Sequence, residues 1–421
     1  MRITMLAFGT RGDVQPFVTL GGRLRGRGHD VTVGTTASFR PAVEDAGLSY
    51  RPITPPPGMG EDTYRPATVE AISKSSSALR YLRTIPPPTS EQVTTLMASL
   101  ERAVDGAEVM LTGTNTQMAG LLDVPARWAA YSQMPTMATR EFRSAIGPQV
   151  QRGPRFNLLT HKLVGALFGS ITRRTANTYL RSRGRAPVPR VNRLREYGRS
   201  VPVLYAFSEA VIPRPADWPA GCHLTGFWFD DRPVDTEDPE LASFVAAGPA
   251  PVVLTLGGAW AVFDGEQTLA AAIGAARSLG RPLVVVGGPE HRGSDDVLQR
   301  TEVSFPWLFE RAAAVIHAGS YGAASYCARA GVPQVTLPAA FDHPFWAARL
   351  HTLGVGTRPV PRSRLTGEAL TAALGPAVTD REMRERAARL ADRIRGEDGI
   401  GTACDVLERI FAPEATRSEN R

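Results

Sequence analysis

The chain has 421 residues, 43% apolar and 21% charged, with a net charge of +7, which suits two domains of about 200 residues and excludes bulk disorder. Nearly all the positive charge is arginine, with Lys74 and Lys162 the only lysines, and it reads as interspersed with acids. That argues against a nucleic-acid surface and leaves a mild attraction of anionic nucleotides to a cleft. No run reaches the ~18 apolar residues of a membrane span, so stable membrane insertion is not expected. Cys222, Cys327 and Cys404 stand far apart in no zinc or CxxC spacing, and the N-terminus lacks a signal-peptide pattern. A reducing, cytoplasmic setting fits both.

Met1–Phe8 reads as a buried strand that breaks at Gly9-Thr10-Arg11-Gly12, followed by a helix from Val14 to about Gly28 and a strand at Asp30–Gly34. That order is one βαβ unit. Thr54–Gln92, with proline triplets and a serine-rich middle, is a long excursion suited to a lid or substrate wall. Glu108–Leu111 and Val201–Phe207 continue the alternation. Asp230–Leu241 is polar and proline-bearing, as a linker should be. A second start follows: a strand at Pro251–Leu256, Gly257-Gly258, a helix over Gly265–Leu279, and strands at Pro282–Val286 and Ala312–Ile316. Asp380–Phe411 has an amphipathic helical pattern. Two open α/β domains are therefore expected: 1–229, a linker over 230–245, 246–411, and a tail at 412–421.

The segment from Trp307 to Gly356 carries the most chemistry. A buried strand ends in His317, and a loop with Gly319 and Gly322 opens a helix to about Ala330. Ligands of open α/β sheets sit at such strand ends, and a helix N-terminus there favours a diphosphate. His317 could donate to a phosphate oxygen while the glycines admit the ligand to the backbone.

This segment resembles the donor-binding signature of the glycosyltransferases of natural products and sterols, in which a histidine precedes glycine-rich sequence and an Asp-Gln pair lies downstream. GTRGDVQPF (Gly9–Phe17) is similar to the family's N-terminal loop, QMPTMATREF (Gln133–Phe142) to its acceptor segment, and YAFSEAVIPRPADWP (Tyr205–Pro219) to its domain-end motif. The resemblance covers nearly the whole chain. It implies the GT-B fold, two Rossmann-like α/β domains facing across a cleft, with the C-terminal helix crossing back to the first. It implies a nucleotide-sugar donor (UDP or dTDP, the natural-product setting favouring dTDP), a small hydroxylated acceptor, and metal-independent inversion of the sugar.

By the same resemblance, Asp13 is the general base, a role its loop position supports because an acceptor hydroxyl needs a proton acceptor as it attacks. An N-cap is the alternative role for Asp13. His317, Gly319, Ser320, Gly322 and Gly258 are assigned to the diphosphate, Asp342 and His343 to the sugar, Val303 to the base, and Gln133, Thr136 and Arg140 to the acceptor. Three positions depart from the family pattern: Ala323 and Gly258 replace hydroxyl residues, and His343 replaces the amide of the Asp-Gln pair. They motivate a second reading, a donor-impaired homologue serving as an auxiliary or binding protein. A nucleotide-sugar epimerase or a dehydrogenase accounts less well for GTRGD, which is not a GxGxxG loop. No acidic metal motif stands out, since Asp230-Asp231 and Asp295-Asp296 are adjacent pairs in linker or loop sequence. Whether the chain is a monomer or a homodimer is not readable.

Overall fold

A computed structural model describes residues 1–57, 59, 87–147, 149–150, 152–188, 197–230, 238–291 and 293–411. The first domain is built on β1 (Arg2–Leu6), β2 (Asp30–Thr35), β3 (Ser49–Pro52), β4 (Val109–Thr112), β5 (Arg127–Ser132), β6 (Val203–Tyr205) and β7 (Cys222–Leu224). All pair in parallel, in the order β3-β2-β1-β4-β5-β6-β7. The central strands are near-continuous apolar runs because helices cover both faces of a parallel sheet; β4 is buried at every position. Three helices are named in this domain: α1 (Arg11–Gly26), α2 (Ser90–Ala103) and α3 (Pro154–Ser182). α3 runs 29 residues and has no counterpart in the sequence reading, because its apolar residues do not segregate to one face. Most of the Thr54–Gln92 excursion lies outside the described residues.

The second domain contains α4 (Pro239–Ala246), β8 (Val252–Thr255), α5 (Gly265–Ser278), β9 (Leu283–Val286), β10 (Val297–Arg300), β11 (Ala314–His317), α6 (Tyr321–Ala330), β12 (Gln334–Thr336) and α7 (His343–Thr352). Its five strands are parallel in the order β10-β9-β8-β11-β12. The expected linker needs correction. Residues 231–237 lie outside the described set, but Asp238 caps α4 and Leu241 packs in one cluster with Val253 and Val284. The second half of that segment is thus domain core.

The C-terminal pattern also divides, into α8 (Arg381–Arg395) and α9 (Gly399–Phe411). α9 lies on α1 of the first domain, where Cys404, Leu407 and Phe411 join that domain's core. Arg27 Nη1 meets Asp405 Oδ1 at 2.6 Å and Glu408 Oε2 at 2.9 Å, and His29 Nε2 meets Glu408 Oε1 at 2.9 Å. Burying Leu407 and Phe411 contributes about 1.5–3 kcal/mol each, against about 0–1 kcal/mol for each partly exposed ion pair. Apolar packing therefore holds the crossing, and the charges fix its register. Among the described residues no helix is long and apolar enough to cross a membrane.

Candidate active site

Each sheet has one point where strand order reverses, between β1 and β4 in the first and between β8 and β11 in the second. The crevice outside the carboxyl ends of the strands at such a point is where open α/β sheets take ligands. The loops singled out in the sequence fall at these two points.

In the first domain, β1 runs out through Ala7 and Phe8 to Gly9, and α1 starts after Thr10. The Thr10 N–H and hydroxyl donate to Asp13 Oδ2 at 2.8 and 2.9 Å. Asp13 is therefore an element of a capping box as well as a carboxylate at the cleft lip, so the two roles coexist. A Cβ on Gly9 would lie 2.5 Å from Asp13 Oδ2 and 3.2 Å from Asn115 Nδ2, and Gly9 has φ +132°. Only glycine leaves the carboxylate its place. Asn115, from the loop after β4, donates to the Phe8 carbonyl at 3.1 Å and ties the two strand ends together.

Burial pushes the Asp13 carboxyl above the usual carboxylate range, the Thr10 hydrogen bonds oppose this, and the negative charge of Asp342 adds to it.

In the second domain, His317 ends β11 with no exposed surface. Its Nδ1 accepts from the Gly319 N–H at 3.1 Å and its Nε2 faces Gln334 Oε1 at 3.0 Å. Neither nitrogen is free to donate to a phosphate, contrary to the expectation; the imidazole instead holds the loop from inside. Gly319 has φ +79°, and a Cβ there would lie 2.9 Å from the His343 carbonyl oxygen. Ser320 caps α6 through its backbone, its side chain forming no cap bond. At Gly322 an added Cβ would meet nothing within 4 Å, so the first turn of α6 opens onto free space. Gly258 is exposed in the turn after β8.

His343 is likewise not where the sequence reading placed it. The residue is buried with its ring beside the Ala318 carbonyl, and Nδ1 has no partner. It supports the 318–319 loop from beneath. Asp342 Oδ2 accepts from Trp346 Nε1 at 3.0 Å, and the preceding Phe341 holds a positive φ of 52°. Such a backbone costs about 1–3 kcal/mol and clusters at functional sites.

The acceptor-side assignments separate. Thr136 Oγ1 shares a 3.1 Å hydrogen bond with Tyr205 OH while the residue itself stays exposed. Arg140 is fixed by its main chain, its N–H donating to Asp217 Oδ2 at 2.9 Å and its carbonyl accepting from Asn157 Nδ2 at 2.9 Å. Gln133 Oε1 is buried without a partner, and Val303 is half-buried before the Ser304 cap.

Sequence reasoning missed Asn115 and Tyr131. The Tyr131 hydroxyl is buried without a partner and feels the Asp13 charge, with its ring against Phe17 and Trp228. In RWAAYS it reads as one more core aromatic. Arg11 and Glu302 meet at 3.2 Å across the cleft mouth, both well exposed. Among the described residues no three His, Cys, Asp or Glu side chains group to hold a metal ion.

The sealed imidazole has a pH consequence. Burial lowers the His317 pKa to about 4, against 6.5 when unperturbed, with the Gln334 bond opposing and His343 assisting. The unfolded chain therefore binds a proton that the folded one refuses. The stability tied to a neutral His317 is complete above pH 6.5 and is lost as pH falls through about 4, amounting to roughly 3 kcal/mol at 1.36 kcal/mol per unit. Thermal midpoints between pH 7.5 and 4.5 should fall less steeply in His317→Gln than in the wild type; parallel slopes would assign the acid sensitivity to other groups.

Residues 3–132 match the glycosyltransferase family 28 N-terminal domain, and residues 295–398 match the C-terminal domain of erythromycin biosynthesis protein CIII-like proteins. The chain is 40% identical over 97% of both lengths to an O-mycaminosyltylonolide 6-deoxyallosyltransferase of Streptomyces fradiae. It is 27% identical to a Candida albicans sterol 3-beta-glucosyltransferase, of whose length it spans 27%. Among solved structures, the kitacinnamycin glycotransferase superposes with a TM-score of 0.69 at 19% identity, covering 98% of this chain and 99% of that one. A spinosyn rhamnosyltransferase complexed with thymidine diphosphate gives 0.64 at 18%, covering 97% and 100%.

Proposed function

The chain belongs to the family of antibiotic and sterol glycosyltransferases with the GT-B fold, and from that premise we propose that it moves a sugar from dTDP or UDP to a hydroxyl of a macrolide-like acceptor, with inversion and without a resident metal. Identity to a deoxyallosyltransferase supports the acceptor class and a deoxysugar donor. Thymidine diphosphate in two structures of the same fold favours dTDP.

The observation that supports the mechanism is that Asp13 and the N-terminus of α6 each stand at the switch point of their own sheet, and that Tyr321, the first residue of α6, donates its hydroxyl to the Ala206 carbonyl of the first domain at 2.6 Å. Thr10 occupies Asp13 Oδ2, which leaves Oδ1 for the acceptor hydroxyl proton. As that proton moves to Oδ1, the acceptor oxygen bonds to the anomeric carbon and the bond from that carbon to the diphosphate oxygen breaks. The diphosphate leaves with its new negative charge among the first N–H groups of α6, the fixed dipoles that a metal would otherwise replace. A raised Asp13 pKa brings the base nearer working pH. His317 serves by holding Gly319, and Asp342 takes the sugar hydroxyls.

The test is calorimetric titration with dTDP, UDP and GDP, then an acceptor screen with the matching sugars and NMR of the product anomer. One nucleotide is expected to bind tightly and the product to have inverted anomeric configuration. Retention would remove the single-displacement mechanism, and no binding by any nucleotide would remove the donor assignment.

A further inference from the structure

The basic residues are not interspersed evenly after all. From Phe142 to Arg195 the sequence has twelve arginine or lysine residues and no aspartate or glutamate, so this stretch alone exceeds the chain's net charge of +7. Glycosyl transfer as derived above uses none of it.

Three of these residues, Arg143, Arg152 and Arg155, lie where the loop after β5 meets α3. Arg143 is only 8% exposed, yet its Nε and Nη1 have no hydrogen-bond partner. Its guanidinium carbon lies 4.9 Å from the Phe156 ring centroid, and that of Arg152 lies 5.4 Å from the same ring. Two cations thus share one aromatic ring. The acid adjacent in sequence is turned elsewhere, Glu141 Oε1 accepting from the Ala216 N–H at 2.7 Å. Asp217 is committed to Thr139 Oγ1 at 2.6 Å and the Arg140 N–H at 2.9 Å. Burial and the Arg152 charge both push the Arg143 guanidinium pKa down.

The start of α3 adds to this. Its N-cap is Gly153, with no side-chain cap and no acid in the first turn. A helix of 29 residues has its positive end there, where physics favours acids and this sequence puts Arg152 and Arg155. A ring face stabilises a cation but replaces none of the hydrogen bonds its N–H groups lose on burial. Buried unpaired donors, a second cation and a helix start without a side-chain cap make an arrangement that an anion would balance.

We propose that Arg143, Arg152 and the first turn of α3 form an oxyanion site, separate from the diphosphate seat on α6, that binds a phosphate or carboxylate group. A planar guanidinium with two unpartnered nitrogens matches two oxygens of such a group. The oxyanion can come free in solution or on the headgroup of an anionic lipid, because Val150, Leu159, Leu163 and Ile171 on the same stretch are exposed apolar side chains.

The test uses the full chain with sodium phosphate titrated at constant ionic strength, reading the thermal midpoint of wild type, Arg143→Gln and Arg152→Gln. Phosphate is expected to stabilise the wild type saturably, with a half-saturating concentration at least tenfold higher in Arg152→Gln and the response at this site abolished in Arg143→Gln. The dTDP affinity is expected to be unchanged in both. Arg152 is exposed, so its variant carries the test even if Arg143→Gln fails to fold. Phosphate curves that superimpose for wild type and Arg152→Gln overturn the site. Flotation with phosphatidylcholine vesicles, with and without phosphatidylglycerol, then identifies the source. A phosphate response joined by phosphatidylglycerol-dependent flotation that Arg152→Gln abolishes assigns a headgroup; the same response without flotation assigns a free anion.

Discussion

Asp13→Asn is expected to lower kcat by roughly 10²–10⁴-fold, the usual contribution of a positioned general base, while leaving nucleotide affinity and fold intact. The reason lies in the two jobs of one carboxylate. Asparagine keeps an oxygen to accept the Thr10 N–H and hydroxyl, now at 2.8 and 2.9 Å, so the start of α1 survives. What disappears is the negative oxygen that takes the proton. Because burial raises the Asp13 pKa, the ionised group is a cost to the fold at neutral pH, and the thermal midpoint of Asp13→Asn should equal or exceed that of wild type. Gly9→Ala is the companion. Its Cβ would press on Asp13 Oδ2 from 2.5 Å at a φ of +132°, so it should lose comparable activity and also about 1–3 kcal/mol of stability. Wild-type kcat in Asp13→Asn would end the general-base assignment.

The second large effect separates two glycines three residues apart. Gly319→Ala places a methyl 2.9 Å from the His343 carbonyl oxygen at a φ of +79°, so the loop must shift. Thermal stability and nucleotide affinity should fall together. Gly322→Ala meets nothing within 4 Å and should fold like the wild type. If the diphosphate sits on the first turn of α6, that methyl occupies its space, and dTDP affinity should drop at least tenfold, or about 1.4 kcal/mol. Calorimetry beside a thermal melt reads both quantities. Undiminished dTDP binding in Gly322→Ala would move the diphosphate away from α6.

Some of this site was visible in the linear sequence. Gly9, Asp13, His317 and Gly319 lie in loops that strand–loop–helix order picks out, and the structure puts those loops at the two switch points; Asp342, taken from the family resemblance, follows β12. The functional meaning of the imidazoles was not visible. His317 and His343 stand beside glycines in a loop that reads as a ligand seat, yet both rings point inward to Gly319, Gln334 and Ala318. Thr136 read as pocket lining and is bonded to Tyr205 OH at 3.1 Å. Tyr131 and Asn115 read as core and loop, and both touch the base's surroundings.

By itself the sequence determined the two α/β domains and the loops at their switch points. Apolar periodicity and glycine placement are local properties, set by residues within a few positions of each other. Only the tertiary structure decided which way each polar side chain faces and which charge stays unpaired. Asp13 feels Asp342 across more than three hundred residues of chain, α9 joins the core of the opposite domain, and Arg143 loses its water to Phe156 and Arg152. Desolvation and orientation are sums over neighbours brought in by crossovers, and no local pattern in the chain encodes that sum.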